Sequence, residues 1–116
     1  MAGISVAKKI AGMAEAQYVG VVPHNPLSAV STAACIQLDA CIPNFSIQEL
    51  GGWNSYPEAV KTSVRLEKGF LTVPEELGLG IELVDKYVSK YPRRSKGIDV
   101  RTTERKADGS LMVATH

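Results

Sequence analysis

The chain has 116 residues, of which 45% are hydrophobic and 22% are charged, and its formal net charge is +1. This composition excludes whole-chain disorder and low-complexity architectures, and the length predicts one domain. No apolar run approaches the roughly 20 residues that cross a bilayer, and the segment before Gln17 lacks the apolar region of a secretory signal. We therefore expect a soluble, cytoplasmic protein with no membrane partner.

Charge is distributed unevenly along the chain. Residues 1–85 carry five basic and nine acidic side chains, whereas residues 86–106 carry eight basic and two acidic ones. A basic tail can contact nucleic acid, or it can pair with an acidic body or a neighbouring subunit. No nucleic-acid-binding motif accompanies these basic residues. We therefore favour pairing between protein surfaces and expect no nucleic-acid partner.

The first half of the chain alternates between helical and strand patterns. We predict a helix over residues 5–17, a strand over 18–22, a helix over 29–41 and a strand over 45–50. Val6, Ile10 and Met13 form an apolar stripe on the first helix, Pro23 stops the first strand, and Ser28 is the expected N-cap of the second helix. This alternation with short connections predicts parallel strands in an α/β fold.

The second half is less regular. We predict a loop from Trp53, a short helix over residues 58–61 opened by Pro57, and a hairpin over residues 63–73. Residues 81–91 begin extended and turn helical after Val84, and an irregular basic tail follows from Pro92. Residues 1–52 and 53–116 are treated as two parts of one domain. The two cysteines, Cys35 and Cys41, are predicted to be buried in one helix, too far apart for a disulfide.

Two polar residues stand near the ends of the predicted strands. His24 follows the first strand, and Glu49 lies at the end of the second. If these strands are parallel neighbours, both side chains project into the same space at the same end of the sheet. An imidazole exchanges protons near neutral pH, and a carboxylate orients a substrate or stabilises charge. On the pattern alone, a hydrogen-bonded loop histidine and an exposed glutamate are the more frequent explanation, and the pattern predicts no Cys/His metal site.

Several motifs in order carry a resemblance to a known family. They are AKKIAGMAEA, PHNPLS, AACIQLDA, NFSIQE and GFLTVP followed by GLGIEL, and they cover about residues 3 to 84. The chain resembles the C-terminal barrel segment of the mandelate racemase subgroup of the enolase superfamily, and most of all the galactonate-dehydratase type of acid-sugar dehydratase. The resemblance implies the last α-β-α-β units of a (β/α)8 barrel, hence a partial barrel, followed by a C-terminal hairpin and tail. The loop PEELGLG departs from the Pro-Gly-Leu-Gly run that is usual in the family.

The resemblance also implies a reaction and a set of roles. Family members are Mg²⁺-dependent lyases in which the histidine after the seventh strand belongs to a His–Asp dyad that removes the proton α to a carboxylate. By position that histidine is His24, and Glu49 lines the same pocket. The family's magnesium ligands and dyad aspartate lie on strands that this sequence does not contain, and Asp39, within a helix, is no substitute. We therefore expect no bound metal and no activity of this chain alone, whether it is a remnant or one piece of a split enzyme.

The resemblance bears on partners as well. The expected partner is a second copy of the chain or a chain that completes the barrel, and a sugar acid would bind only to a completed site. The alternative is a non-catalytic assembly or binding protein that uses the open barrel edge or the basic tail. Whether the chain is an enzyme therefore stays open at the level of sequence.

Overall fold

The computed structural model describes residues 3–53 and 56–90, so the predicted basic tail lies outside the described residues. The elements in chain order are α1 (Ile4–Glu15), α2 (Ala29–Asp39), β1 (Val60–Thr62), β2 (Leu66–Glu67), β3 (Phe70–Leu71), β4 (Ile81–Leu83) and α3 (Asp85–Lys90). None of the helices in this part of the chain is long and apolar enough to cross a membrane.

Helix α1 ends earlier than its apolar pattern suggests. The helix stops at Glu15, and the backbone N–H of Tyr18 donates to the Glu15 carbonyl at 2.9 Å in the turn that follows. Tyr18 has a φ of 56°, in the left-handed region that is uncommon outside turns. The prediction that Tyr18 starts a strand is therefore wrong, because this residue lies in the turn that follows the helix.

The core between α1 and α2 is built on small side chains. Ala7 and Ala11 of α1 are buried with Leu38 of α2 and with Ile42, which follows that helix, and Val21 packs against this cluster. Alanine has no side chain beyond Cβ, so the two helices approach closely. The predicted helix is confirmed, but a different face of it is buried.

The predicted apolar stripe of α1 faces away from this core. Val6, Ile10 and Met13 are 41%, 58% and 74% exposed, respectively. These residues recur every three or four positions and therefore share one face of the helix. That face has no partner within the described part of the chain.

The two predicted strands of the first half meet in parallel, as expected, but neither is continuous. An isolated parallel bridge joins Val21 and Phe45. The N–H of Val21 donates to the Asn44 carbonyl at 2.7 Å, and the N–H of Ser46 donates to the Val21 carbonyl at 3.0 Å. The prediction of regular strands over residues 18–22 and 45–50 is wrong for the described structure. In the described ranges, no second strand pairs with either segment, whereas strands of a parallel sheet ordinarily have neighbours on both sides.

The side chain of Asn44 holds this bridge to α1. Its Nδ2 donates to the Ala11 carbonyl at 3.0 Å and to the Val19 carbonyl at 2.9 Å. The Ala11 carbonyl belongs to the last turns of α1, so one amide joins the helix to both sides of the bridge. The bridge and the helix are therefore positioned together.

The second half contains two antiparallel pairs. The hairpin pairs Leu66 with Leu71 and turns through Lys68 (φ 50°) and Gly69 (φ 86°), the positive dihedral angles of a type I′ turn. This confirms the predicted hairpin. Strand β1 pairs with β4, a pairing that was not predicted. The predicted helix over residues 58–61 is instead a 3₁₀ turn at Pro57–Ala59 followed directly by β1.

Two further predictions concern α3 and the cysteines. The extended-then-helical pattern of residues 81–91 is confirmed as β4 followed by α3. Cys35 and Cys41 are both free thiols, as predicted, but only Cys35 is buried, whereas Cys41 is exposed. Helix α2 ends at Asp39 rather than at residue 41, so Cys41 lies in the turn beyond the helix and leaves its buried face.

Candidate functional site

His24 and Glu49 lie together at one end of the parallel bridge. The Nδ1 atom of His24 is 3.0 Å from Oε2 of Glu49, and the two side chains are 82% and 39% exposed, respectively. Both segments run in the same direction through the bridge, so the residues that follow Val21 and Phe45 emerge at the same end. The two residues that the sequence singled out are thus brought into direct contact.

The backbone of the histidine loop also binds Glu49. The N–H of Asn25 donates to the same carboxylate oxygen, Oε2, at 2.5 Å. Prolines 23 and 26 flank His24 and Asn25, and each proline fixes its own φ and restricts the residue before it. The loop therefore presents a backbone N–H and an imidazole N–H side by side to one oxygen of Glu49.

The side chain of Asn25 forms a second layer beneath this contact. Asn25 is fully buried, and its Nδ2 donates to Thr32 Oγ1 at 2.7 Å and to the Glu49 carbonyl at 3.2 Å. Thr32, also fully buried, donates from Oγ1 to the Ser28 carbonyl at 3.2 Å. Sequence reasoning missed both residues. The available signals were an asparagine between two prolines and a threonine four residues after Ser28 in an alanine-rich helix.

Ser28 has a different role from the one predicted. It occupies the N-cap position of α2 with an extended backbone, but its side chain forms no capping hydrogen bond. Its carbonyl oxygen accepts the Thr32 hydroxyl and the Thr32 N–H instead. The start of α2 is therefore joined to the site through Thr32.

A pair of glycines lets the chain after Glu49 pass close to the histidine loop. A Cβ added to Gly52 would lie 1.2 Å from the Leu27 carbonyl oxygen, and one added to Gly51 would lie 3.0 Å from the Cα of Pro26. No side chain larger than hydrogen fits at Gly52 without moving the backbone. The glycine pair thus keeps the segment after Glu49 packed on the loop that bears His24.

This geometry suits proton transfer. A neutral imidazole carries one hydrogen, and the hydrogen bond made by one ring nitrogen decides which nitrogen carries it. Because His24 Nδ1 faces a carboxylate oxygen, Nδ1 is the donor and Nε2 is the proton-accepting nitrogen. The exposed ring of His24 can therefore take a proton from a bound molecule.

The residues around the pair do not match a magnesium site. Mg²⁺ prefers octahedral coordination by oxygen ligands, usually including one or two carboxylates. Glu49 already uses one oxygen for two hydrogen bonds, and within residues 3–53 and 56–90 no group of three or more His, Cys, Asp or Glu side chains could hold a metal ion. The cation that the resemblance implies therefore does not fit this part of the chain.

Comparison with known proteins gives consistent results. Residues 1–87 match the enolase C-terminal domain-like family model, a domain class with a (β/α)8 barrel. D-galactonate dehydratase of Ralstonia nicotianae is 34% identical over 94% of this chain, and a D-galactonate dehydratase family member of Streptomyces bingchenggensis is 30% identical over the same share.

Solved structures agree. A mandelate racemase/muconate lactonizing enzyme from Burkholderia SAR-1 is 39% identical, with a TM-score of 0.73 over 83% of this chain and 24% of its own. An enolase from Pantoea ananatis with bound D-gluconate and magnesium is 31% identical, with a TM-score of 0.78 over 96% of this chain and 27% of its own.

The matched region is short relative to these proteins. The chain spans 30% of the Ralstonia protein and 26% of the Streptomyces protein. The family model nevertheless matches most of this chain, and it includes both His24 and Glu49. The chain belongs to the enolase C-terminal domain-like family.

Proposed function

We propose that this chain supplies the His24–Glu49 part of an acid-sugar dehydratase active site, within the last units of a (β/α)8 barrel. The observation that carries the proposal is the 3.0 Å contact between His24 Nδ1 and Glu49 Oε2 at the end of a parallel bridge. The relatives support the substrate class, because D-galactonate names the substrate of the curated relatives and D-gluconate is bound to one structural neighbour. Both are sugar acids with a hydroxyl on each carbon near the carboxylate.

The proposed role of His24 is proton transfer at the carbon next to the substrate carboxylate. Nε2 accepts the α-proton, the electron pair left on the α-carbon forms a double bond to the β-carbon, and the β-hydroxyl leaves. His24 returns its proton to that hydroxyl, so that water departs and the enol rearranges to a 2-keto acid. Glu49 holds Nδ1 and so keeps Nε2 directed away from itself. In the dyad that the resemblance implies, an aspartate has this role.

The described residues do not complete such a site. Removing a proton next to a carboxylate builds up negative charge, and enzymes stabilise that charge with fixed donors or cations. Loss of one such donor typically lowers the rate by about 10²–10³-fold. The metal ligands would have to come from other barrel units, and we expect no turnover by this chain alone.

Its exposed apolar surface supports association with such units. The stripe of α1 formed by Val6, Ile10 and Met13 is exposed and has no partner among the described residues. Contiguous exposed apolar side chains and unpaired strand edges are typical of surfaces that bind another protein. The proposed occupant is the preceding part of a related barrel or, in its absence, a second copy of this chain.

A complementation assay tests the proposal. This chain is co-expressed with the part of Ralstonia nicotianae D-galactonate dehydratase that precedes the matched region, and 2-keto acid formation from D-galactonate and D-gluconate is followed with magnesium present. We expect turnover only when both pieces are present. His24→Asn and Glu49→Gln should each abolish it, whereas His116→Asn and Glu15→Gln are the matched controls and should retain it.

Other outcomes of the same assay are equally informative. A stable complex without turnover would contradict the catalytic proposal and favour the alternative, a non-catalytic assembly protein. Turnover that survives His24→Asn would show that the site lies elsewhere.

A further inference from the structure

We propose that Asn25 is a positioning residue that sets the orientation of His24 through Glu49. The inference rests on the proposed function, because it explains how this chain selects the nitrogen that accepts the proton. Among the described residues, Asn25 and its partner Thr32 are the two buried polar side chains, and both are fully buried. It is also next to His24 in the chain, so any displacement of its backbone is transmitted to the imidazole.

The hydrogen-bond pattern fixes the orientation of the Asn25 amide. Thr32 donates its hydroxyl hydrogen to the Ser28 carbonyl, so Oγ1 can only accept from Asn25. The Glu49 carbonyl is likewise an acceptor. Both contacts therefore require the NH₂ group of Asn25, and a flipped amide would place oxygen against oxygen at both points.

These bonds join three segments at one point. The Asn25 side chain connects the histidine loop to α2 through Thr32 and to the Glu49 backbone, while its own N–H binds the Glu49 carboxylate. Both ends of Glu49, its carbonyl and its carboxylate, are thus held by a single residue. The carboxylate is placed within reach of His24 Nδ1 because Asn25 sets the separation of the two loops.

The remaining oxygen of Asn25 indicates that this role is geometric. Oδ1 is buried and accepts no hydrogen bond from the described residues. Burial of an unpaired polar atom costs free energy, so the amide contributes less to stability than a fully paired one would. The paired atoms of the Asn25 amide are those of its NH₂ group, which joins the histidine loop to Thr32 and to the Glu49 backbone.

Nuclear magnetic resonance of the histidine ring tests the inference without any turnover. The full chain is labelled with ¹⁵N, and the two ring nitrogens are observed at alkaline pH, where the two neutral tautomers of an imidazole are distinguished. The His24 signals are assigned by their loss in His24→Asn. We expect wild type to show more of the Nδ1–H tautomer than Glu49→Ala does, because only the carboxylate holds that hydrogen.

The decisive variants remove the hydrogen bonds made by the Asn25 side chain. Asn25→Ala keeps the backbone N–H but loses both side-chain bonds, and we expect its Nδ1–H fraction to fall to that of Glu49→Ala. Thr32→Val should also lower the Nδ1–H fraction of His24. Thr32→Ser keeps the hydroxyl, so its Nδ1–H fraction should equal that of wild type. Gln48→Ala is the matched control, because Gln48 Nε2 also donates to the Glu49 carbonyl, at 2.6 Å, without reaching α2; it should leave the tautomer unchanged.

Defined results would overturn the inference. A folded Asn25→Ala variant with the wild-type tautomer would show that Asn25 is only structural, as would an equal shift in Gln48→Ala. If Asn25→Ala fails to fold, the nearly isosteric Thr32→Val decides, and an unchanged tautomer there contradicts the inference. Because the measurement needs no partner chain, its failure is distinct from failure of the complementation assay.

Discussion

Asp39 makes the stability of this protein depend on pH at the scale of a single residue. Burial raises the pKa of its carboxyl to about 6 from the ordinary value of 3.8, and its Oδ1 accepts no hydrogen bond from the described residues. The unfolded chain therefore loses this proton at lower pH than the folded chain does. The contribution of Asp39 to stability is fully present below pH 3.8, is lost as the pH rises through about 6, and changes no further above that value.

Asp39→Asn should remove this penalty. We expect the variant to raise the free energy of unfolding by about 1 kcal/mol near pH 7, a value reduced from the full shift because the group is only partly buried. Near pH 3 the gain should vanish, because the Asp39 carboxyl is then protonated in both the folded and the unfolded state. Urea denaturation at the two pH values measures this, with the exposed Glu15→Gln as control. A gain of the same size at both pH values would contradict the explanation.

Close packing against Leu27 leaves no room for a side chain at Gly52. An added Cβ would lie 1.2 Å from the Leu27 carbonyl oxygen, so Gly52→Ala must push the segment after Glu49 away from the histidine loop. We expect a loss of about 3 kcal/mol, at the upper end of the usual cost of overpacking. The matched control is Gly12→Ala, because a Cβ at Gly12 meets nothing within 4 Å. There alanine favours the helix and should stabilise by up to about 1 kcal/mol. Urea denaturation measures the free energy of unfolding of both variants. If Gly52→Ala and Gly12→Ala changed it equally, close packing at Gly52 would be excluded as the cause.

At the scale of elements, the local features of this fold were predictable and the non-local ones were not. Helices α1 and α2 and the hairpin depend on periodicity and turn residues within a few positions, and all three were found. The β1–β4 pair joins segments about 20 residues apart, and nothing local to either segment indicates it. The extent of a parallel strand depends on its neighbours, and among the described residues no further strand pairs with residues 18–22 or 45–50, which form one bridge.

One contact of the candidate site could be predicted from the sequence, and another could not. The meeting of His24 with Glu49 followed from parallel direction alone, because parallel segments expose their ends on the same side. The Asn25–Thr32 bond depends on the path of a loop over the start of a helix. That path is set by the glycine contact at Leu27 and by two prolines together, and no spacing rule predicts it.

The two faces of α1 should respond differently to substitution. Ala11 is fully buried against α2, whereas Ile10, its neighbour, is 58% exposed. Ala11→Leu adds three carbons to a closely packed contact and should cost about 1–3 kcal/mol, while Ile10→Ser should change the stability of the isolated fold by no more than about 0.5 kcal/mol. Urea denaturation at low protein concentration separates the two. A large loss with Ile10→Ser would show that the stripe is packed within the chain itself.

At the scale of the whole molecule, the exposed stripe predicts self-association whenever no completing barrel units are present. Val6, Ile10 and Met13 lie on one face of α1 with no partner among the described residues. Burial of such side chains gains about 25 cal/mol for each Å² removed from water. Sedimentation at micromolar concentration should therefore show oligomers, and lysine at all three positions should shift the protein towards monomer, whereas alanine at the exposed polar positions 8 and 9 should not.

Salt distinguishes this surface from the basic tail as the cause of association. Contacts between apolar side chains persist in high salt, whereas pairing of the basic segment 86–106 with the acidic body of another copy is screened once the Debye length falls to about 3 Å, near 1 M salt. We expect the wild-type oligomer to survive that salt concentration. Dissociation by salt would assign the interface to the tail, and a well-folded wild-type monomer in low salt would contradict association altogether. Survival in salt together with dissociation of the triple lysine variant would place the interface on α1, the surface to which the proposed barrel units would bind.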